Sequence, residues 1–510
     1  MKSAAYLLKN TLLLAFSSIV LRLIGLCFQA YLAAKVGAQE LGVFGIISSV
    51  GVVFATISIS GVRFSVTRLV AERVSCGNDY PRSLMRCAFS YSAVFGFLSG
   101  IVLYVFAPLF SRYWVMDLSA APALRLMALS MPLISFGAAV EGYFTAKQKV
   151  FRLVATELFA QLIRISFVAG LFTLLLKNGT RASVILAAGS FAGESVLSIT
   201  MLVLYFFESW GRKEQSVPKG TLPRLIKTAF PLAVSAYMRT GLSSLGQIII
   251  PRGLRKGGMG SAGAFTTYGI IAQMAMPVIM FPAALLNALG EILVPRLTDA
   301  QVMGHKIGIS YIVNRALRIG MIFSFGVAGI MLFYSSLLGE AIYKNAQAGY
   351  YIKIFAPLVP IVYIDCVTDG CLKGLNQQLH SMVYNVLEGV LNVVLLFILL
   401  PKIAIMGYVV VMYVKEIFNA VLSLARLTKV TAVDKSYTVL FTTTLSTVGA
   451  YVFGNIVAPV APIFPKIAIY VCFYVSLLYV SNAVTREDLR WVLALIRPQD
   501  NVSLYKWKKM

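Results

Sequence analysis

The sequence predicts an all-α polytopic membrane protein of about 14 transmembrane helices, arranged as two pseudo-symmetric six-helix lobes plus two extra helices. Three observations carry that prediction. Of 510 residues, 59% are hydrophobic and 13% charged; an ordinary soluble domain carries about 25% charged residues, so this supply cannot clothe a water-facing surface. The apolar residues fall in runs of about 20 between short polar breaks, the length at which a helix crosses bilayer hydrocarbon. Motifs of the first half return in the second at a nearly constant offset.

The predicted spans, in chain order, are 11–34, 41–67, 87–110, 120–145, 153–176, 182–207, 225–251, 262–294, 316–338, 350–372, 381–400, 403–425, 437–459 and 463–484. The first is too long for a secretory signal and no small-residue cleavage site follows, so it reads as a signal anchor. Basic residues outnumber acidic ones 45 to 20. With the N-terminus inside, most of them fall on cytoplasmic segments, which makes this a multi-pass cell-membrane protein with both termini cytoplasmic. In a soluble protein the same excess would suggest nucleic acid; here it answers to anionic membrane lipids, and no nucleic-acid partner is expected.

The domains follow from the longest polar break. Residues 1–207 form the N-lobe (spans 1–6), 208–224 a cytoplasmic linker, 225–428 the C-lobe (spans 7–12), 429–484 spans 13 and 14, and 485–510 a cytoplasmic amphipathic tail. The linker holds the basic stretch Gly211-Arg212-Lys213-Glu214 to Lys219. The tail from Thr485 to Arg497 reads as a capped helix with Leu489, Val492, Leu493 and Ile496 apolar and Arg486, Arg490 and Arg497 basic, as on a helix lying along the inner membrane surface. The repeat appears in Gly42-Val43-Phe44-Gly45-Ile46-Ile47 against Thr267-Tyr268-Gly269-Ile270-Ile271, Thr67-Arg68-Leu69 against Pro295-Arg296-Leu297, and Glu157 and Gln161 against Glu388 and Asn392, at offsets of 224 to 231 residues. Six helices separate the copies, so both have the same orientation about an axis along the membrane normal.

Several chemistries lack a motif. Six cysteines lie far apart without a C-x-x-C pair, and two histidines, His305 and His380, leave little room for a metal site, so no cofactor is expected. No G-x-x-x-x-G-K-[ST], H-E-x-x-H or G-x-S-x-G element occurs. Neither an enzyme nor a nucleotide-binding subunit is implied.

Ionisable groups at membrane depth are costly unless they face water or a partner, so the exceptions within spans are the functional candidates. They lie on helical stripes of three- and four-residue steps. Span 1 carries Ser18, Arg22, Gly25 and Gln29; span 2 carries Thr56, Ser60, Arg63 and Thr67; span 7 carries Ser235, Arg239, Ser243 and Gln247; span 8 adds Asn287 and Glu291. These stripes predict a hydrated cavity between the lobes whose guanidinium groups suit an anionic substrate, because they match phosphate or carboxylate oxygens in pairs. Arg63, near a helix end, could equally snorkel to the interface. On span 5, Glu157, Gln161 and Arg164 share a face, as Asn385, Glu388 and Asn392 do on span 11; Glu157, Arg164 and Glu388 are candidates for coupling or for holding the lobes together, with a Glu157–Arg164 ion pair as the simplest alternative. Asp369 and Lys373 read as a helix-surface pair. Lys415 and Glu416 remain without a role. Pro277 and Pro282 predict a bend in span 8, and Gly253, Gly257, Gly258 and Gly260 with Arg252, Arg255 and Lys256 a flexible basic loop on the outer face.

Arg22-Leu23-Ile24-Gly25, Gly37-Ala38-Gln39-Glu40-Leu41-Gly42, Ser60-Gly61-Val62 and Arg68-Leu69-Val70-Ala71-Glu72 resemble the stage V sporulation protein B and polysaccharide exporter group of the multidrug/oligosaccharidyl-lipid/polysaccharide (MOP) exporter superfamily, which includes lipid II flippases. Tyr268-Gly269, Met276-Pro277, Phe281-Pro282-Ala283-Ala284 and Leu293-Val294-Pro295-Arg296-Leu297 are similar to its second-half motifs. The resemblance implies a flippase moving undecaprenyl-pyrophosphate-linked oligosaccharide, such as a lipid II-like peptidoglycan precursor, by alternating access, with spans 13 and 14 offering a groove for the lipid tail. Against the R-x-x-G-x-x-R pattern of related lipid II flippases, Arg22 and Gly25 match and Phe28 takes the second basic position. The expected partners are a lipid-linked anionic sugar and membrane lipids. A cation-coupled multidrug antiporter of the same superfamily, using Glu157 and Glu388, is the alternative; a scaffold in envelope assembly is a third reading.

Overall fold

A computed structural model describes residues 2–75, 82–175, 181–210, 221–434, 437–457, 459, 461–488 and 490–491. Helix is the only regular secondary structure among them. In chain order the α-helices are α1 (Lys2–Ile59), α2 (Val62–Ser75), α3 (Arg82–Val105), α4 (Ala107–Phe110), α5 (Ala121–Ala146), α6 (Val150–Leu175), α7 (Ala182–Ser209), α8 (Thr221–Lys256), α9 (Ser261–Gly269), α10 (Met276–Met280), α11 (Ala283–Val302), α12 (Lys306–Phe333), α13 (Ser335–Tyr343), α14 (Ala346–Phe355), α15 (Val359–Gly374), α16 (Gln378–Val430), α17 (Tyr437–Val457) and α18 (Ile463–Val480). Eleven helical stretches among the described residues are long and apolar enough to cross a membrane. Two of these, Leu13–Val74 and Gln378–Val430, are long enough for two crossings each, and α8, excluded from the eleven, is also long enough; together they accommodate the expected fourteen.

The long helices break where the backbone demands it. Gly37 leaves the helical region of α1 at φ 79°, a conformation nearly free of cost only for glycine, and Ile403 with Ala404 breaks α16. Span 8, expected as one bent helix, is more finely divided: α9 passes into a π-helical stretch, Ile270–Ala275, then α10, then a break at Phe281 and Pro282 before α11. Proline cannot donate to the preceding turn, which accounts for the interruption. The outer basic loop is shorter than its composition suggested. Arg252, Gly253, Arg255 and Lys256 all belong to α8, whose end buries Gly253 and Leu254 by packing, and only Gly257–Gly260 connects to α9.

Packing divides the chain into two compact units, one of Val36–Gly269 and the other of Met1–Lys35 with Ile270–Met510. That division differs from the cut at the 208–224 linker. The first part of α1 has its partners among the later helices, as in the Gln29 amide bond to Gln273 at 2.9 Å. Within the Val36–Gly269 unit, α8 is tied to α1 and α2: the Ser244 hydroxyl donates to the Ser49 carbonyl at 3.0 Å and Arg224 meets Glu72 at 2.7 Å. Sequence neighbourhood predicts lobes, whereas packing partners define units. The linker stretch 211–220 and the tail beyond Trp491 lie outside the described residues.

In the Val36–Gly269 unit, the repeated glycine motifs pack on each other. A Cβ on Gly42 would overlap the Phe265 carbonyl, and one on Gly269 the Ala38 carbonyl, so α1 and α9 cross at backbone contact. A second break follows at Ser60 and Gly61, both at positive φ. Tyr91 donates its hydroxyl to the freed Ser60 carbonyl at 2.9 Å, and Tyr237 donates to the Ser60 hydroxyl at 2.7 Å.

In the other unit, α12 anchors both ends of the α17–α18 hairpin. Ser310 donates to the Ala432 carbonyl at 2.7 Å and the Asp434 amide donates to Asn314 at 2.9 Å, just before α17. After α18, Arg318 donates to the Ala483 carbonyl at 2.7 Å, and Arg315 pairs with Glu487 at 2.8 Å and with Asp488. Thr485 and Asp488 form reciprocal capping bonds that close a turn after α18. Further along, Tyr470 and Tyr474 donate to the Gly326 and Ile322 carbonyls, with Gly326 and Gly329 leaving room for their rings. His305 is a helix cap: its Nδ1 accepts from the Gly308 amide at 3.0 Å at the start of α12.

Candidate functional site

Each unit holds one cluster of ionisable side chains at helix-crossing depth. In the Val36–Gly269 unit the cluster draws on four helices. Arg63, at the start of α2 just past the Ser60–Gly61 break, pairs with Glu141 of α5 at 2.7 Å. Arg164 of α6 pairs with Glu194 of α7 at 2.9 Å, not with Glu157 on its own helix. Helix periodicity put Glu157 and Arg164 on one face, but the α6–α7 contact brings Glu194 closer. Gly193 makes that contact possible, since a Cβ there would press on the Arg164 guanidinium. Glu157 is exposed and lies within electrostatic reach of Arg63 and Glu194. Two guanidinium groups therefore face three carboxylates, one more than they can pair. Glu141 and Glu194 had no place in the sequence reading. The same stripe logic could have reached them, because Glu194 is the single charged residue of span 6 and Glu141 the single acidic one of span 4.

In the unit of 1–35 and 270–510 the cluster lies on α15 and the two halves of α16. Lys415 meets Glu388 at 3.1 Å and Glu416 at 2.7 Å. This gives both previously unassigned residues a role: one ammonium between two carboxylates. Asn419 donates to Asp365 at 2.9 Å, while the other oxygen of Asp365 and the Asn419 carbonyl oxygen are buried without a hydrogen-bond partner. Asp369 pairs with Lys373 at 2.6 Å, the helix-surface pair expected from their spacing. Arg22 lies within electrostatic reach of Cys366, the neighbour of Asp365 on α15.

The remaining predicted site residues distribute as follows. Arg22 and Arg239 are exposed, and no ion pair among the described residues involves either. Gln29 is bonded to Gln273, a partner on the π-helical stretch that the sequence analysis missed; π-bulges are frequent at functional sites. Gln247 accepts from the Tyr268 hydroxyl at 3.2 Å. Asn287 is half-buried and Glu291 exposed, both on α11. Within each unit, then, Arg22, Gln29, Asn287, Glu291 and Glu388 belong to one body and Arg63, Glu157, Arg164, Arg239 and Gln247 to the other. No group of three or more His, Cys, Asp or Glu among the described residues is arranged to hold a metal ion.

Kinked, apolar helices long enough to cross a membrane define a polytopic membrane-protein fold, and solved transporter structures share it. The chain superposes on the lipid II flippase MurJ in an inward closed conformation with a TM-score of 0.69, 14% identity, and coverage of 94% of this chain and 99% of that one. An inward-facing multidrug resistance MATE family transporter of the MOP superfamily matches with a TM-score of 0.60 at 12% identity, covering 81% of this chain and 98% of that one. The chain belongs to the polysaccharide biosynthesis protein family, whose model matches residues 7–301. Among curated relatives, stage V sporulation protein B of Bacillus subtilis (strain 168) is 23% identical over 508 residues, 95% of this chain and 97% of its own. The lipid II flippase MurJ of the same organism is 21% identical over 426 residues, 76% of each chain.

Proposed function

We propose that this protein is a flippase that translocates an undecaprenyl-pyrophosphate-linked oligosaccharide, a lipid II-like peptidoglycan precursor or related polysaccharide unit, across the cytoplasmic membrane by alternating access of its two lobes. The observation that carries the reading is a contrast among four arginines. Arg63 and Arg164 each have a carboxylate partner, whereas Arg22 and Arg239 are exposed and enter no ion pair among the described residues. A pyrophosphate supplies the missing anion, and a guanidinium binds its oxygens in paired fashion. Gln29, Gln247 and Asn287 carry amide groups suited to sugar hydroxyls, and Glu291 a carboxylate that can accept from them. Arg63, already matched by Glu141, would act on the head group only by exchanging that partner. Both termini are cytoplasmic in this reading, following the positive charges.

Arg22→Ala and Arg239→Ala, reconstituted separately, are expected to reduce flipping of a fluorescent polyprenyl-pyrophosphate sugar at least about tenfold, the loss of one charge-assisted contact, with unchanged thermal stability. Unchanged flipping in both variants rejects the assignment.

A cation-coupled multidrug antiporter is the second reading, favoured by the excess of carboxylates over cations around Asp365, Glu388 and Glu416. Efflux of a cationic dye against a sodium or proton gradient, with no movement of the lipid-linked sugar, would select it. In either case Glu157, Arg164 and Glu388 serve coupling or the internal cohesion of each lobe.

A further inference from the structure

One charged cluster takes no part in that function. Where α5 turns into α6 and α7 ends, the buried Glu208 carboxylate serves three cations. Lys147 meets one oxygen at 3.1 Å, and Lys149 at 2.6 Å together with Arg152 meets the other. Tyr143 donates its hydroxyl to the same carboxylate at 3.1 Å. Lys147 is itself buried over the Tyr143 ring, so its charge is committed inward. Lys149 and Arg152 are both about a third or more exposed, at 33% and 39%, and share a single oxygen. Arg82 and Arg86 of α3 lie within electrostatic reach of Tyr205, one turn before Glu208. Positive charge therefore exceeds negative at the open side of this cluster.

The surroundings of the cluster are apolar. Phe151, between Lys149 and Arg152, is 71% exposed; Phe207 and Trp210, on either side of Glu208, are 76% and 81% exposed. Aromatic side chains left bare at a helix end, beside cations, fit the level of a bilayer where acyl chains meet head groups. A water-soluble anion would use the charges and leave the rings exposed.

We propose that this corner of α5, α6 and α7 binds an anionic phospholipid, with the phosphodiester on Lys149 and Arg152 and the chains along Phe151, Phe207 and Trp210. The lipid is a resident of the bilayer and not the transported cargo, so the site stands whether or not the flippase reading holds. Its occupancy would complete the charge balance around Glu208 and fix the α5–α6 turn against the end of α7.

The test is native mass spectrometry of the full-length protein in detergent, offered phosphatidylglycerol or phosphatidylcholine with the same chains. Each cation at an anionic surface is worth about fivefold in binding, so the wild type is expected to retain phosphatidylglycerol at least about tenfold over phosphatidylcholine. Lys149→Gln with Arg152→Gln should bring that ratio close to one. Lys149→Gln alone, which leaves Arg152 and Lys147 on Glu208 and so spares the fold, should lower it about fivefold. A wild type without preference, a double variant that keeps the preference, or displacement of the lipid by millimolar inorganic phosphate would each overturn the proposal.

Discussion

The two ionic clusters both join helices but differ in the cation that does so: two separate arginines in one, a single shared lysine in the other. In the Val36–Gly269 unit, each of two arginines bridges a pair of helices, α2 to α5 and α6 to α7, so both salt bridges of the cluster are also ties between elements. In the other unit a single lysine on the second half of α16 lies between Glu388 on the first half, across the break at Ile403 and Ala404, and its own neighbour Glu416, and Asp365 of α15 is met by the amide of Asn419. The carboxylates recur at the repeat offset, Glu157 against Glu388, but the cations do not. A guanidinium presents a rigid fork of donors that can hold two helices in register, while an ammonium is a compact point charge that two acids can share. One cluster thus pairs each arginine with its own carboxylate, while the other leaves buried acceptors of Asp365 and Asn419 unmet.

That contrast can be broken most severely at Lys415. Lys415→Met removes the cation that lies between two largely buried carboxylates, and breaking such an arrangement from one side costs on the order of 3 kcal/mol. Thermal unfolding in detergent should show the largest fall of Tm in this series; a fall no greater than that of an exposed arginine variant would mean that the pair is wetter than its burial indicates. Arg164→Met should cost less, about 1 kcal/mol, because both partners are close to a third exposed and solvent screens them. The same scan measures it, and a loss equal to that of Lys415→Met would erase the distinction between the clusters.

Asp365→Asn sharpens the comparison with the opposite sign. It keeps the shape and the bond to Asn419 but removes a buried charge that has one unmet oxygen, so Tm should rise by the equivalent of about 1 kcal/mol. If transport is lost while stability rises, the unmet acceptors serve coupling; if stability falls, Asp365 is structural after all.

The smallest effect is expected at Asp117, outside the membrane spans, where the ion pair with Arg181 faces water at 2.8 Å. Partial burial opposes its charge, but hydrogen bonds from the Ser119 hydroxyl and amide, together with Arg181, hold the carboxyl below its ordinary value. A carboxyl lowered in the folded state stabilises above its unfolded pKa of about 4, and that contribution disappears as pH falls through the folded value. Tm of wild type minus that of Asp117→Asn should therefore shrink from pH 6 toward pH 3. A difference that grows on acidification would contradict the assigned direction.

Much of the architecture could be read from the amino acids alone. Lipid leaves a helix no alternative but some 20 apolar residues, so the spans, their order and the breaks at Gly37 and Pro282 follow from local chemistry. The candidate arginines were legible for the same reason, since a charge in an apolar run has no neighbour in sequence to excuse it. Their partners were not. Periodicity fixes the face on which Arg164 lies but not which helix covers that face, and the small Gly193 is what lets Glu194 rather than Glu157 receive it. The roles of Lys415 and Glu416, the bond of Gln29 to Gln273, and the grouping of the first 35 residues with the second half likewise arise from contacts between segments distant along the chain. What the chain determines by itself is what each helix must hide from lipid; which helix hides it is settled only when all of them pack.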